Sequence, residues 1–578
     1  MSAGKVIQKD RSAALPTFIS RALLGLSLSA MLTGGLAQAQ VPPDAGSLKR
    51  GIEQDQRKVL PDKAPSPFAL PQPMKSLGGA SVTVTTFRFS GNTRLSDKRL
   101  AEVVKEFLNR PLDFAGLQNA ALAVANAYRQ AGWVVRVYLP EQDVTGGTVT
   151  IQIVEASFGA VRVEGESNHI STEQVKRVIE HAQRPGSAVS ADALDRGLLL
   201  VGDLPGVTAM GRLSEGRNPA ETDLILTVDD APMVSGKVYA DNAGARVTGA
   251  ARVLADAGIN SPFGFGDRIN ALLLHSEGSD YVRAGYSLPI GYGGWRVGVN
   301  ASHLGYDIVT DEFKALDAHG TSATVGVDAS YPLLRARRKN VYFEFNANSN
   351  RFNNKSVGIT TTKYSTKVAS VAFNANLFDS LGGGGANSAS ITYAQGKVDL
   401  AGSPNEALDA LTTNTNGGFH KILVSAARQQ AVTTRLSLFA SVATQFASKN
   451  LDSSEKLYLG GANGVRAYPA NEAGGSEGLL WNIEARTSLP YRMNATAFFD
   501  AGHVKVNKDN DIIGAATVNS ISLKGVGVSV GWTANFGLNI KGTWARRIGD
   551  NPNPTITGTD QDGSLLKNRF WIQASLPF

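Results

Sequence analysis

The chain has 578 residues, which is too many for one compact core, so several domains are expected. Outside the first forty residues, no stretch offers the roughly 18 to 20 consecutive apolar residues that a transmembrane helix requires, so any membrane crossing must use a closed β-barrel. The absence of cysteine excludes thiol catalysis and cysteine-ligated metals, and the formal charge of +7 gives little support to nucleic-acid binding.

The first 39 residues are typical of a signal peptide. Basic residues precede an apolar segment from Ala22 to Leu36, and Ala37-Gln38-Ala39 then matches the cleavage pattern of secreted proteins. The alternative is a membrane anchor, but the apolar segment is too short and too rich in Ser, Thr and Gly. We therefore expect cleavage after Ala39.

Two further segments precede the first folded unit. Residues 40–60 are charged and compatible with a helix that has almost no apolar face, so this helix cannot be stabilised by packing on a hydrophobic core. It suits a polar cavity, with disorder as the alternative. Residues 61–80 are rich in proline and carry Gly78-Gly79 near their end, which predicts an extended linker.

Residues 81–156 and 157–231 share one order of elements, β-α-α-β-β. In the first unit Ser96 and Asp113 are expected to cap the two helices, and a glycine turn at 146–147 separates the last two strands. The same order recurs in the second unit, with its first helix expected at Thr172 to Ala182. The pattern indicates an internal repeat of about 75 residues.

Residues 232–578 consist of segments of roughly ten residues with period-two alternation, separated by Gly, Asn, Asp and Pro. We count about sixteen such segments, which fits an antiparallel transmembrane β-barrel. An even number of strands places both chain ends of the barrel, and the preceding repeats, in the periplasm. The last strand carries Phe570 and Ile572 on one face and ends at Phe578, as expected for the aromatic girdle of such a barrel.

Enzyme motifs are absent or misplaced. Residues 527–531 match G-x-S-x-G but lie within an alternating strand instead of a strand-turn-helix elbow. The seven histidines are scattered without metal-ligand spacing, and no phosphate-binding P-loop occurs. We therefore expect neither an enzyme nor a metal or other cofactor.

One loop late in the barrel, residues 457–478, is long and rich in glycine, and it carries Arg466 between apolar and aromatic neighbours. Two acids follow on the next strands, Glu484 and Asp500. Because strand positions that face a barrel lumen are polar, these carboxylates are candidates for pairing with a guanidinium that folds inward.

Several short motifs occur in one fixed order along the chain. They are Gly91-Asn92-Thr93, Tyr128 and Gly132-Trp133 in the first unit, Asp203 to Val207 in the second, Asp241 to Gly244 at the barrel entry, Val465-Arg466-Ala467-Tyr468 in the loop, and Phe498-x-Asp500-x-Gly502 on the wall. Together they resemble the two-partner secretion transporters of the haemolysin-activator and FhaC type, which belong to the POTRA-plus-barrel superfamily. Ala467 departs from the glycine that this family usually has, so the loop tip is expected to be stiffer or differently shaped.

The resemblance implies a plug helix (40–60), two periplasmic POTRA domains (81–156 and 157–231) and a sixteen-stranded barrel in the bacterial outer membrane (232–578). It implies that the loop folds into the lumen, where Arg466 meets Asp500. The implied partner is a large unfolded exoprotein, an adhesin, haemolysin or toxin, which is exported without nucleotide hydrolysis. Outer-membrane lipid and the barrel-assembly machinery are further implied partners, and Phe570, Ile572 and Phe578 are the expected assembly signal.

Two other functions remain open at this stage. A barrel-assembly insertase of the same superfamily usually carries more than two POTRA units and lacks a plug helix. A passive porin has no need for two periplasmic α/β repeats.

Overall fold

The computed structural model describes residues 43–56, 60, 81–165, 167–218, 220–555 and 557–578. The predicted signal peptide and the whole of the predicted proline-rich linker lie outside these residues. Two α/β units are followed by a closed antiparallel barrel of sixteen strands, which confirms the predicted fold class. Within the described residues, no helix is long and apolar enough to cross a membrane.

The first helix, α1 (Ala45–Asp55), lies inside the barrel, against strands of its wall. Asp44 and Ser47 form a reciprocal capping box that fixes its N-terminus. The expectation that it has almost no apolar face is wrong. Ala45, Leu48 and Ile52 are spaced three and four residues apart, form one stripe, and are buried among apolar residues of the lumen wall. The helix therefore combines polar capping with a narrow apolar contact.

The two α/β units have the same topology. In each one the strand that directly precedes the first helix pairs in parallel with the last strand, which also pairs antiparallel with the strand before it. The elements of the first unit are β1 (Val82–Thr83), β2 (Thr86–Ser90), α2 (Asp97–Val104), β3 (Pro111–Leu112), α3 (Phe114–Gln130), β4 (Val135–Tyr138) and β5 (Thr148–Glu155). Those of the second are β6 (Ser157–Glu164), α4 (Thr172–Ala182), α5 (Ala191–Gly202), β7 (Val207–Glu215) and β8 (Glu221–Asp230).

In the first unit, the predicted caps Ser96 and Asp113 accept hydrogen bonds from the first turns of α2 and α3. Glu155, at the end of β5, accepts hydrogen bonds from the buried Tyr128 hydroxyl at 2.8 Å and from the Thr93 N–H group at 2.7 Å. Burial alone would raise the pKa of Glu155, but these hydrogen bonds outweigh it and hold the pKa of this carboxyl below its usual value. Glu155 thus joins the turn after β2 to helix α3.

The barrel begins with β9 directly after the second unit, and neighbouring strands along the chain are neighbours in the wall. Its strands are β9 (Val234–Asp241), β10 (Arg252–Asn260), β11 (Arg268–Ser276), β12 (Ser279–Ile290), β13 (Trp295–Asp307), β14 (His319–Arg335), β15 (Lys339–Ser356), β16 (Ile359–Asp379), β17 (Gly385–Asp399), β18 (Gly417–Ala431), β19 (Leu436–Ala447), β22 (Glu477–Leu489), β23 (Met493–Lys505), β24 (Ser520–Thr533), β25 (Asn539–Arg547) and β26 (Asn568–Pro577). A short helix, α6 (Glu406–Leu411), lies in one connection, and β20 (Leu457–Tyr458) and β21 (Gly474–Gly475) form a small hairpin in another.

The second unit is attached to the barrel at the turns between successive strands. Arg335, at the end of β14, makes a two-pronged contact with Asp203, and Arg337 makes a similar contact with Asp195 of α5. The Ser261 hydroxyl donates to the His169 carbonyl at 2.5 Å. These contacts fix the second unit to one end of the strands, the end that is expected to face the periplasm.

The barrel closes where β26 meets β9, with only five paired residues. Beyond this short ladder, the Asn242 side chain donates to the Phe570 carbonyl at 2.9 Å and accepts from the Ile572 N–H group at 2.8 Å. At the other end, the backbones of Phe578 and Gly236 exchange two hydrogen bonds. The contacts of the Asn242 side chain and of the C-terminal residue therefore strengthen the closure between β26 and β9, which the short strand ladder alone would stabilise only weakly.

The Glu155 contact leads to a prediction about acid stability. A depressed carboxyl pKa stabilises the folded unit above the ordinary value of 4.5 and loses that effect as the pH falls through the folded pKa. Glu155→Gln should therefore reduce hydrogen-exchange protection of β5 and α3 amides in the full chain at pH 7. On acidification, the variant should lose less of the remaining protection than the unsubstituted chain does. If the variant and the unsubstituted chain showed the same protection at pH 7 and at acidic pH, this role of Glu155 would be contradicted.

Candidate functional site

The connection between β19 and β22 folds back into the lumen instead of extending away from the barrel. Leu459, Val465, Ala467 and Tyr468 of this loop are buried in one cluster with inward-facing residues of β22 to β25. Its tip is a tight turn, in which the Val465 N–H group donates to the Leu459 carbonyl at 2.7 Å. A compact loop tip thus presents one charged side chain to the wall.

Arg466 is the charged residue at this tip, and it is 6% exposed. Its Nε donates to Asp500 Oδ2 at 2.8 Å and its Nη2 to Asp500 Oδ1 at 2.6 Å, a two-pronged contact. The Arg466 backbone N–H group donates to the same carboxylate at 3.1 Å. Asp500 is completely buried, so its charge is balanced by the protein and not by water.

A second carboxylate and an aromatic ring complete the surroundings of Arg466. Glu484 Oε1 lies 2.8 Å from Arg466 Nη2, and its other oxygen accepts from Arg486 Nε at 2.7 Å. The guanidinium carbon of Arg466 lies 3.5 Å from the centroid of the Phe498 ring, which is a close cation–π contact. The structure therefore brings Arg466, Asp500, Glu484 and Phe498 together.

Small residues on the wall make room for the loop. A Cβ atom at position 502 would lie 2.7 Å from the Leu459 side chain, so the glycine of the Phe-x-Asp-x-Gly motif allows this residue to pack. A Cβ atom at position 525 would lie 2.6 Å from Cβ of Ala467. The methyl group of Ala467 thus occupies a space that Gly525 leaves open on β24, directly beside Asp500 in the wall.

The last two strands and their connection hold the other side of the loop. The Trp571 indole N–H donates to the Arg466 carbonyl at 2.8 Å. Glu472 of the loop accepts from Asn551 and from the Gln561 N–H group, each at 2.9 Å. Asp560, in the same connection, is paired with Arg547. The guanidinium carbon of Arg547 lies 4.7 Å from the ring centroid of Tyr468.

Helix α1 contacts the same loop through polar groups. The Ser453 hydroxyl donates to the Asp44 carboxylate at 2.7 Å, and Gln54 Nε2 donates to the Tyr458 carbonyl at 2.8 Å. Asp55 pairs with Arg252 of β10 at 3.1 Å. Helix and loop therefore fill the lumen together.

Of the remaining predicted residues, the three at the C-terminus lie outside this site, and Gly527 of the G-x-S-x-G match borders it. Phe570, Ile572 and Phe578 are exposed, on the last strand and at the terminus. Ser529, of the G-x-S-x-G match, shares a hydrogen bond with the Thr543 hydroxyl at 2.8 Å, and Gly527 of the same match receives the Phe498 ring. Among the described residues, no group of three or more His, Asp or Glu side chains is placed to hold a metal ion.

Three contributors were not identified from the sequence. Asn482 donates to Asp500 Oδ1 at 2.8 Å and to the Gly464 carbonyl at 3.2 Å, so it bridges the wall and the loop. Strand alternation would have identified it, because Asn482 shares the inward face with Glu484 and not with Trp481. Trp571 and Gly525 carry no such signal, since their proximity to the loop depends on how the barrel closes.

The contact between Ala467 and Gly525 predicts a compensating pair. Gly525→Ala should displace the loop tip and reduce the secretion that the family resemblance implies, because the new methyl group overlaps that of Ala467. Adding Ala467→Gly should restore secretion, and Ala467→Gly alone should have little effect. Secreted partner per inserted barrel is the measurement. A failure of Ala467→Gly to rescue Gly525→Ala would show that the overlap is not the cause.

Comparison with known proteins agrees with this architecture. The family model of haemolysin secretion/activation protein ShlB/FhaC/HecB matches residues 220–532, and the model of the ShlB-type POTRA domain matches residues 82–156. The heme/hemopexin transporter protein HuxB of Haemophilus influenzae is 26% identical, over 92% of this chain and 94% of its own. The outer membrane transporter CdiB of Dickeya dadantii is 25% identical, over 89% of this chain and 93% of its own.

A solved structure has the same fold. CdiB from Escherichia coli aligns over 98% of this chain and 100% of its own, with a TM-score of 0.66 and 20% identity. The ShlB/FhaC/HecB model alone matches more than half of the chain. The chain therefore belongs to the haemolysin secretion/activation protein family of the ShlB/FhaC/HecB type, the outer-membrane transporters of two-partner secretion.

Proposed function

We propose that this transporter captures an unfolded exoprotein with its POTRA domains and passes it through the barrel lumen to the cell surface. The observation that carries the proposal is the filled lumen. A closed barrel holds a capped helix and an inward loop, both attached by hydrogen bonds and ion pairs. Side-chain contacts of this kind can be broken and remade without disturbing the strand ladder.

The POTRA domains supply the capture step in this proposal. In the second domain, β7 pairs only with β8 among the described strands, so its other edge is open. An extended client can add to such an edge through main-chain hydrogen bonds, which require little of its sequence. Because the second domain is fixed to the periplasmic turns, a captured segment is delivered next to the lumen.

The ion pair is assigned a positioning role. Arg466 and Asp500 hold the loop tip against the wall while the client passes. Removing one partner of a buried pair leaves an uncompensated charge and typically costs about 3–5 kcal/mol. No step in this scheme requires a catalytic residue, a cofactor or nucleotide hydrolysis.

The relatives guide the choice of partner. One is a heme/hemopexin transporter and another is the outer membrane transporter CdiB. We assign a large secreted exoprotein to this chain as its client. We also assign to the exposed Phe570, Ile572 and Phe578 the role of a terminal signal for the barrel-assembly machinery.

A reversible tether tests whether the lumen must be cleared. A Cβ atom at position 46 would lie 2.6 Å from Ser453 Oγ, so Gly46→Cys with Ser453→Cys places two thiols within disulfide reach. The chain has no other cysteine. Oxidised cells should insert the barrel normally but secrete far less partner, and a reductant should restore secretion.

The two single-cysteine variants are the matched controls, and both should secrete equally with and without reductant. If the oxidised double variant exports its client at the normal rate, the client does not need helix α1 to leave the loop.

A further inference from the structure

The outer face of β15, β16 and β17 changes character along the strands. Inward and outward residues are distinguished by burial. Asn350 and Thr366 are buried and hydrogen-bonded to each other at 2.8 Å, and Phe352 stacks on Tyr364 beside helix α1. The residues between them along each strand therefore face outward. Near the second POTRA domain these outward residues are apolar and aromatic, including Phe343, Phe373 and Ile391.

Towards the other end of the same three strands, the outward residues become basic. Arg351, Lys363, Lys367 and Lys397 are all exposed there. Lys367 lies directly opposite Lys397 across the β16–β17 ladder, and Arg351 lies opposite Ser365, midway between Lys363 and Lys367. We call these four residues the basic rim.

The basic rim lacks counter-ions within the protein. None of its four side chains forms an ion pair with the described part of the chain, although Asp399 lies on the same face, opposite Ser365. The Asp399 carboxylate accepts from the Ala401 N–H group at 3.2 Å. Like charges directly opposite each other destabilise a sheet, so the pairing of Lys367 with Lys397 is unfavourable unless an anion lies between them.

The space beside the basic rim is concave. A groove of about 310 Å³ runs along the outer surface from β14 to β17, and Thr321, Arg351, Lys363, Ser365 and Asp399 are among its lining residues. A phosphate group in this groove would meet the guanidinium of Arg351 and the ammonium of Lys363, and the carboxylate of Asp399 restricts it to the side of the groove that these two cations line.

The position of the basic rim relative to the membrane identifies the ligand. On β16 the outward residues from Ala369 to Leu377 are small, apolar or aromatic, a run that matches an apolar band about 25 Å tall on a tilted strand. Lys367 follows directly at the end away from the POTRA domains, which is the extracellular end. The basic rim therefore lies at the height of the headgroups of the outer leaflet.

We propose that the basic rim binds the phosphate groups of lipopolysaccharide, the phosphorylated glycolipid of the outer leaflet. Its acyl chains pack on the apolar band between Ala369 and Leu377, and its lipid A phosphates bridge Lys367 and Lys397 and reach Arg351. The bound lipid relieves the repulsion of the two lysines and anchors one sector of the barrel at a fixed height. This inference does not depend on the exported client.

Lipid binding to the purified full chain tests the proposal. Lys363→Ser/Lys367→Ser/Lys397→Ser should weaken binding of bisphosphorylated lipid A by about a hundredfold in native mass spectrometry, because each basic residue near a charged headgroup contributes about fivefold. The matched control removes three exposed lysines elsewhere, Lys98→Ser/Lys105→Ser/Lys339→Ser, and should bind like the unsubstituted chain. Heat-modifiability on a denaturing gel verifies that each barrel is folded.

Two further arms identify the source of the phosphate. Dephosphorylated lipid A should bind the unsubstituted chain as weakly as bisphosphorylated lipid A binds the triple variant, and millimolar inorganic phosphate should not displace bound lipid A. If the triple variant does not insert, Lys367→Gln alone should still weaken binding several-fold. Equal binding by the folded variants, equal binding of dephosphorylated lipid A, or displacement by inorganic phosphate would each overturn the proposal.

Discussion

The contents of the barrel lumen are arranged around the guanidinium of Arg466. It is buried, so its charge has to be balanced by groups that are already in place, and Asp500, Glu484 and the Phe498 ring supply that balance. Each of these groups lies on a strand whose position is set by the barrel ladder. The loop therefore has one docked position, determined by the wall and not by the loop itself.

The packing around the ion pair follows from that position. Gly502 and Gly525 leave room for Leu459 and Ala467, and Trp571 of the last strand caps the Arg466 carbonyl. The last strand is also the one that closes the barrel through a short ladder with β9. The docked loop is thus coupled to the closing strand, and either one is expected to respond to changes in the other.

Helix α1 is held differently. Its apolar stripe consists of only three residues. Its polar contacts are mostly single hydrogen bonds to the loop and single ion pairs to the wall. A two-pronged buried pair fixes the loop, whereas the helix depends on contacts of smaller individual energy. The contacts that hold the helix are therefore expected to break at a lower energetic cost than those that hold the loop.

Much of this arrangement follows from local patterns. Period-two alternation predicts the strands, and the caps at Ser96 and Asp113 predict the POTRA helices. The pairing of Arg466 with Asp500 was expected from resemblance to a family. Trp571 and Gly525 were not predicted, because their approach to the loop depends on strand tilt and barrel closure, which no local pattern encodes. The apolar stripe of α1 was missed because three apolar residues among many charged ones give a weak signal.

The account depends on Arg466 and Asp500 acting as one unit, and a double-mutant cycle measures this directly. Secreted partner per inserted barrel should fall steeply and to a similar extent in Arg466→Ala and Asp500→Ala, while heat-modifiability is retained. The double variant should be little worse than either single one, because the first substitution already removes the contact. Arg466→Lys should recover only part of the activity, since an ammonium cannot make the two-pronged contact. Strictly additive losses in the double variant would contradict the account.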